Sequence, residues 1–161
     1  MNKLPYSEGT VFLVPLETGG YARGIVARAT KKGGGLLGYF FGPPLDSPSE
    51  VRLGDLEASN AILCVHCGDL GLINGDWPVV AQLPRWDRAQ WPVPCFVRRD
   101  PLSRKAWKVV YSDNDPNEVV AEYPTDYDSD LPPNAAYGYE AVETVLAQRL
   151  SENPYRSGER A

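Results

Sequence analysis

The sequence is poor in side chains that bind metals or carry redox chemistry, since its 161 residues include one histidine and three cysteines. His66 stands between Cys64 and Cys67 in the segment CVHC, and Cys95 has no C-x-x-C partner. A closed zinc site needs four converging ligands, whereas successive residues of a strand point to opposite faces. An odd number of cysteines is also atypical of a disulfide framework and favours a reducing compartment. We therefore expect no metal, no cofactor and no structural disulfide.

Catalytic patterns are equally scarce. His66 and Cys67 are adjacent on an expected strand, so their side chains are poorly aimed at each other for a nucleophile pair. The segment KKGGGLLG lacks the G-x-x-x-x-G-K-[ST] spacing of a phosphate-binding loop. The carboxylates of Asp126 and Asp128 lie in a proline-rich stretch, where little burial is expected to separate their pKa values for acid–base work. We expect that the protein is not an enzyme.

Long apolar runs are missing as well. No window approaches the roughly 20 apolar residues that cross a bilayer, and the start MNKLPYSEGTVF has no apolar stretch of signal-peptide length. With the cysteine usage, this predicts a soluble cytoplasmic protein. The length of 161 residues predicts one domain over residues 1–161, large enough to fold without a metal or disulfide.

Glycine and proline are plentiful, with 15 of each, and they separate short apolar runs that are typical of strands. TVFLVPL and YARGIVARA flank the turn ETGG and predict a hairpin, and LLGYFFG predicts a third strand ended by two prolines. AILCVHC and WPVVAQL predict two buried strands around the turn Asn74-Gly75. CFVRR and AWKVVYS predict a further hairpin that continues the sheet, so that a β meander occupies residues 8–112.

One helix is expected, over about 138–151, where the periodicity of YGYEAVETVLAQRL creates an apolar stripe. The stripe consists of Ala141, Val142, Val145, Leu146 and Leu150. The predicted fold class is mainly β, of α+β type. It is either a strongly bent antiparallel sheet or a small SH3-like partial barrel, with the C-terminal helix docked on it. An acidic, proline-rich segment at 113–134 joins the meander to the helix, and a flexible tail is expected over 152–161.

Charge is unevenly distributed along the chain. Residues 1–99 hold ten Lys and Arg against nine Asp and Glu, whereas residues 100–161 hold six against twelve. The acidic residues from 111 to 130 are Asp113, Asp115, Glu118, Glu122, Asp126, Asp128 and Asp130, and no Lys or Arg lies among them. Such a stretch is either a solvated loop or a surface that attracts a basic partner, and it repels nucleic acid and anionic membranes.

The tryptophans divide into two groups. Trp77 follows a turn and precedes Pro78 and two valines, which predicts that its ring lies in the core. Trp86 and Trp91 lie in the charged, proline-rich connection PRWDRAQWPVP. Such loop tryptophans either stay partly exposed as interface anchors or pack over the mouth of a small barrel.

Four segments follow one another along the chain: EGTVFLVPLETGGYARGIV, LLGYFFG, GLINGDWPVV and WPVPCFVRRD. Their order and spacing resemble the immunity protein 26 family of bacterial polymorphic-toxin systems, whose opening has the pattern G-x-V-F-x-x-P-L-turn-G-Y-x-x-G-x-V. Together they cover most of residues 8–100. The resemblance implies a cytoplasmic protein that binds and neutralises a cognate toxin, commonly encoded beside it.

On this interpretation the partner is a basic toxin protein bound in a stoichiometric complex. The expected partner-binding residues are Asp113, Asp115, Glu118, Glu122, Asp126, Asp128, Asp130, Tyr127, Trp86 and Trp91. Two alternatives stay open. An SH3-like peptide-binding module would need an exposed aromatic groove, for which Tyr39, Phe40 and Phe41 are candidates, although their apolar setting favours the core. A small hydrolase, matching the phosphotriesterase label of some relatives, is disfavoured because a two-metal site needs several histidines.

Overall fold

The computed structural model describes residues 3–152 of the chain. Its strands are β1 (Thr10–Pro15), β2 (Tyr21–Ala29), β3 (Gly35–Leu45), β4 (Leu63–Gly68), β5 (Val79–Gln82), β6 (Phe96–Asp100), β7 (Lys105–Tyr111), β8 (Val119–Thr125) and β9 (Ala136–Tyr137). Its α-helices are α1 (Leu70–Ile73) and α2 (Tyr139–Glu152). Short 3₁₀ turns occupy Pro48–Glu50, Ala58–Asn60 and Arg88–Gln90. The fold is mainly β, as predicted, and the strands of the described range do not close a barrel.

The first sheet has six strands in the order β5-β1-β2-β3-β4-β9. Strands β1 to β4 form the predicted antiparallel meander, and β9 joins β4 in parallel, which makes the sheet mixed. The turn between β1 and β2 uses Gly19 and Gly20, both with positive φ. A Cβ on Gly20 would lie 2.5 Å from the carbonyl oxygen of Leu45, so this turn requires glycine there.

Two details of the first sheet differ from the predictions. Strand β3 does not end at Pro43-Pro44 but continues to Leu45, which pairs with Tyr21 beyond an irregularity in the ladder. Strand β5, expected to be buried, is an edge strand that pairs with β1 and keeps its side chains partly exposed. The turn at Asn74-Gly75 is present, with Gly75 at φ +84, but the short helix α1 precedes it.

The second sheet contains β6, β7 and β8 in that order. The hairpin of β6 and β7 was predicted correctly, but the expectation that it continues the first sheet is wrong. Strand β8 lies inside the acidic segment 113–134, where the pattern predicted no strand. It adds to β7 in antiparallel pairing, so the acidic residues stand on and around a sheet edge.

The first sheet is covered on both faces, which creates two cores. The helix-side core lies under α2 and includes Phe12, Val14, Val26, Phe40, Val65, Cys67, Trp77, Val142, Leu146 and Leu150. The opposite core lies between the two sheets and includes Val11, Ile25, Leu37, Tyr39, Phe41, Leu56, Trp91 and Phe96. Trp77 is fully buried with its ring stacked on Phe12, which confirms the core prediction for this residue.

Helix α2 matches the predicted helix within one residue at each end. Val142, Leu146 and Leu150 of the predicted stripe are buried against the sheet, whereas Ala141 is exposed and Ala147 is buried instead. The buried face is therefore rotated slightly from the predicted one. Of the expected tail, Glu152 is the last residue of α2, and residues 153–161 lie outside the described range.

Candidate functional site

The acidic stretch divides into carboxylates that are held by arginines and carboxylates that are not. Asp113 belongs to the first group: its Oδ1 accepts from Nη2 of buried Arg28 at 2.8 Å, and its Oδ2 lies 3.6 Å from Arg88. The hydrogen bond from Arg28 holds the pKa of Asp113 below its usual range. Asp113, predicted to face a partner, is thus tied to the protein itself.

Arg28 joins several loops around the opposite core. Its guanidinium donates to the carbonyl oxygens of Ala27 at 2.7 Å, Trp91 at 3.0 Å and Asp113 at 3.0 Å. A buried guanidinium is costly unless its donors are satisfied, and these carbonyls together with the Asp113 carboxylate supply that satisfaction. Arg28 therefore holds Asp113, the first residue of the acidic segment, in place against the opposite core.

Glu122 also has an internal partner. Its Oε1 lies 2.9 Å from Arg98 of β6, and the guanidinium of Arg98 stacks over the ring of Trp107 at 4.3 Å. All three residues are at least partly exposed, so the pair contributes little to stability. It does bring a cation, a carboxylate and an indole together on the surface of the second sheet.

The same hairpin brings cations to two tyrosines. Arg104 stacks over the ring of Tyr127 at 4.1 Å, and Arg99 donates to the carbonyl oxygen of Tyr127 at 2.7 Å. Lys108 lies 5.6 Å from the ring centre of Tyr123, whose side chain is 54% exposed. Arginine, tyrosine and tryptophan are the residues enriched where protein interfaces concentrate their binding energy.

The remaining carboxylates of the stretch form no direct ion pair within residues 3–152, although Arg99 and Arg104 lie nearby at Tyr127. Asp126, Asp128 and Asp130 are exposed and form no ion pair with the rest of residues 3–152. Glu118 is exposed likewise, and the carboxylate of Asp115 accepts the backbone N–H of Asn117 at 2.9 Å, within a turn. We call Asp126, Asp128 and Asp130 the free carboxylates. They follow directly after β8 and flank Tyr127.

The two loop tryptophans have different environments. Trp91 is only 3% exposed and packs edge-on against Tyr39 and Phe41, so of its two interpretations the structure shows packing over the sheet. Trp86 stacks on Trp91 and donates to Glu8 at 3.3 Å, but it keeps part of its ring exposed. Trp91 therefore offers no surface to a partner, and Trp86 offers some.

The cysteines and the histidine lie within packed regions. Cys67 belongs to the helix-side core, whereas Cys64 packs on the other face, and burial raises the pKa of Cys64 to about 12. His66 is 8% exposed and lies between Phe96 and Tyr111, and burial lowers its pKa to about 4. No group of three or more His, Cys, Asp and Glu residues within 3–152 is arranged to hold a metal.

The residues proposed for an SH3-like groove are not on the surface. Tyr39, Phe40 and Phe41 are buried, with Phe40 in the helix-side core and the other two in the opposite core. These three residues therefore lie in the cores that their apolar setting favoured, and they form no exposed aromatic groove. No helix within the described range is long and apolar enough to cross a membrane.

Sequence reasoning missed the cations of the second sheet. Arg98 and Trp107 are direct cross-strand neighbours in the β6–β7 hairpin. The register of the predicted hairpin contained that pairing, which was the available signal. The approach of Arg28 to Asp113, across 85 positions of sequence, had no such signal.

Fold and surface together define a mainly β protein whose second sheet carries arginine, tyrosine and tryptophan side chains, the types enriched at protein interfaces, with exposed carboxylates beside them. The chain matches the family model described as immunity protein 26 over residues 7–113, more than half of its length, and it belongs to that family. No curated protein and no solved structure matches it. The matched part covers the first four strands, β5 and the β6–β7 hairpin, and it ends at Asp113.

Proposed function

We propose that this protein is a cytoplasmic immunity protein that binds a cognate toxin in a stoichiometric complex and thereby neutralises it. Family membership supports the general role. The proposed location of the binding site rests on the free carboxylates, Asp126, Asp128 and Asp130. They lie near the partly exposed rings of Tyr123 and Tyr127.

The proposed complex forms in two stages. Unpaired carboxylates create a local negative potential that accelerates encounter with a basic surface. The neighbouring rings then bury apolar area against the partner and slow its dissociation. Toxins that grip nucleic acid present basic surfaces, and for such a toxin the free carboxylates would occupy the positions of phosphates. The same potential disfavours binding of nucleic acid or anionic membranes by this protein itself.

The carboxylates tied to arginines contribute less to this attraction. Asp113 is paired with Arg28, and Glu122 is paired with Arg98. The proposed site therefore centres on the carboxylates after β8. Asp115, Glu118 and Trp86 remain candidate contacts outside that centre.

The test is the association rate constant with the toxin encoded beside this protein's gene, measured at low and high salt. Changing Asp126, Asp128 and Asp130 together to Asn should lower the rate constant about tenfold at low salt and flatten its salt dependence. The fold should be unaffected, because all three side chains are exposed. Coexpression of the parent protein should also protect bacterial cells from the toxin.

A matched control changes three exposed carboxylates remote from β8 in sequence, Glu17, Asp46 and Glu57, to their amides. The control alters the net charge by the same amount. If its association rate constant falls less than that of the triple Asn variant, the position of the free carboxylates, and not the net charge alone, accounts for the difference. Equal losses in both variants would remove the free carboxylates from the interface. Absence of any complex with the parent protein would refute the immunity function.

A further inference from the structure

Another segment of the described chain covers one edge of the second sheet, whereas the other edge is left open. The β6 edge is covered by the segment 132–134: the N–H of Val97 donates to the carbonyl oxygen of Pro132, and the N–H of Asn134 donates to that of Val97, both at 2.8 Å. The outer edge of β8 makes no backbone hydrogen bond with any part of residues 3–152. Strand β8 is therefore an open edge.

Open edges invite pairing with another strand, and proteins usually block them with charges, prolines or bulges. Here the blocking is incomplete. The ladder with β7 skips Val120, an irregularity that blocks part of the edge, but Val120 is 56% exposed and Val119 beside it is exposed too. The charge of Glu122 is tied to Arg98, and Pro124 stands near the far end of the strand. The stretch from Val119 to Tyr123 stays available for pairing.

Charge decides between the possible occupants of this edge. Glu118 precedes β8 and the free carboxylates follow it. If β8 of a second copy paired antiparallel, the Glu118 end of each chain would meet the free carboxylates of the other. Parallel pairing would align identical acidic ends. Like charges placed opposite each other on neighbouring strands destabilise the pair. An extended segment with Lys or Arg at its ends has the complementary pattern.

The position of β8 in the chain supports a role in specificity. The family match ends at Asp113, and β8 begins at Val119, so this edge lies outside the matched part. Each immunity protein must recognise its own toxin, and a recognition element outside the shared framework meets that need.

We propose that β8 is the docking edge for the toxin, and that an extended basic segment of the toxin pairs with Val119–Tyr123 as a fourth strand of the second sheet. This rests on the proposed immunity function. Backbone hydrogen bonds along the edge supply affinity, and the free carboxylates with Tyr123 and Tyr127 select basic and apolar side chains of the added strand.

The first measurement is amide hydrogen exchange of the full chain, alone and with the toxin encoded beside its gene. Strand addition should slow exchange at alternate amides of Val119–Tyr123 by tenfold or more, while the edge strand β5 stays unchanged. A complex that forms without added protection at β8 overturns the edge proposal and leaves the immunity function intact. Protection of β8 in toxin-free protein, together with a dimer in sedimentation, overturns it in favour of a second copy.

The second measurement compares Val120→Pro with Val120→Thr. Proline removes the N–H of a residue that has no partner in the ladder, whereas threonine keeps that N–H and suits a strand. Toxin affinity should fall at least tenfold for Val120→Pro and less than threefold for Val120→Thr. Equal affinity of both variants, with unfolding midpoints like the parent, contradicts the proposal. If Val120→Pro fails to fold, the exchange measurement still decides. If the parent forms no complex, both proposals fall.

Discussion

Trp77 is the largest side chain of the helix-side core, and it packs against an aromatic ring and a glycine that leaves room for the indole. Its ring lies parallel to Phe12 at 5.2 Å, and its Nε1 donates to Glu143 of α2 at 3.0 Å. A Cβ on Gly71 would lie 2.8 Å from the indole, and one on Gly24 would lie 2.4 Å from the ring of Phe12. Both glycines are therefore required by the stacked rings.

We expect Trp77→Ala to lower the free energy of unfolding by about 3 to 5 kcal/mol, because it leaves a cavity between β1 and α2. That is much of a typical domain's stability of about 5–15 kcal/mol. Trp77→Phe should cost less, since it keeps a ring against Phe12. Urea unfolding followed by circular dichroism measures both. An alanine variant that unfolds like the parent but loses toxin binding would make Trp77 a contact residue instead of a core residue.

At the residue scale, the sequence predicts positions whose neighbours along the chain determine them. Trp77 was predictable because a turn and a proline beside two valines indicate where a chain folds inward. Trp91 was not, because its burial depends on Tyr39 and Phe41 from a distant strand. Arg28 lies within an otherwise apolar strand, but nothing near it in sequence indicates that Asp113 neutralises it.

At the scale of elements, the β1–β2 hairpin and α2 were predictable because each has one apolar face and a clear turn or end. Strand β8 was not, because nearly all its side chains are exposed and no alternation of apolar and polar residues results. The sequence pattern also did not show that β6, β7 and β8 form a sheet separate from the first. Periodicity identifies strands, but it does not show which strands pair across long stretches of sequence.

The docking of α2 is testable with one leucine. Leu146 is fully buried between the helix and the sheet. Leu146→Ala should lower the free energy of unfolding by about 2 to 5 kcal/mol. The matched control is Leu102→Ala, at a leucine that is almost wholly exposed in the β6–β7 turn, which should change it by less than about 0.5 kcal/mol. Chemical denaturation measures both variants. Similar small effects would mean that α2 contributes little to the fold.

At the scale of the whole molecule, the two sheets are held together by a contact that includes a buried histidine. Phe96 and Tyr111 of the second sheet enclose His66 of the first, and Nε2 of His66 has no hydrogen-bond partner among the described residues. Protonating this imidazole would place a charge in the opposite core. We therefore expect the contact between the two sheets to weaken as the pH falls.

The sign of this dependence follows from the two states. In the unfolded chain His66 binds a proton below about pH 6.5, whereas in the folded protein burial lowers its pKa to about 4. Between these values the unfolded state binds more protons, so the free energy of unfolding should fall as the pH falls, by at most about 3 kcal/mol. The pKa values of Asp55 and Asp113 are lowered by hydrogen bonds from Arg23 and Arg28, so their stabilisation is lost only below about pH 4.

Urea titrations at several pH values between 6.5 and 4.5 measure this effect. The variant His66→Phe should lose this fall in the free energy of unfolding, because it has no imidazole to protonate. Any slope that remains should have the opposite sign, because burial raises the pKa of Glu143. Parallel profiles for the parent and the variant would assign the pH dependence to other groups.

The acidic segment has both ends fastened to the framework. Asp113 is held by Arg28 at one end, and at the other Asn134 is held by Val97 and accepts from the hydroxyl of Tyr111. Substitutions of the exposed side chains between these two anchors leave the residues of both cores where they are, because no residue of 114–133 belongs to either core. The exposed surface of residues 114–133 can therefore change in sequence while both cores stay the same. Under the proposed function, a change of toxin would require substitutions in this segment and none in the cores.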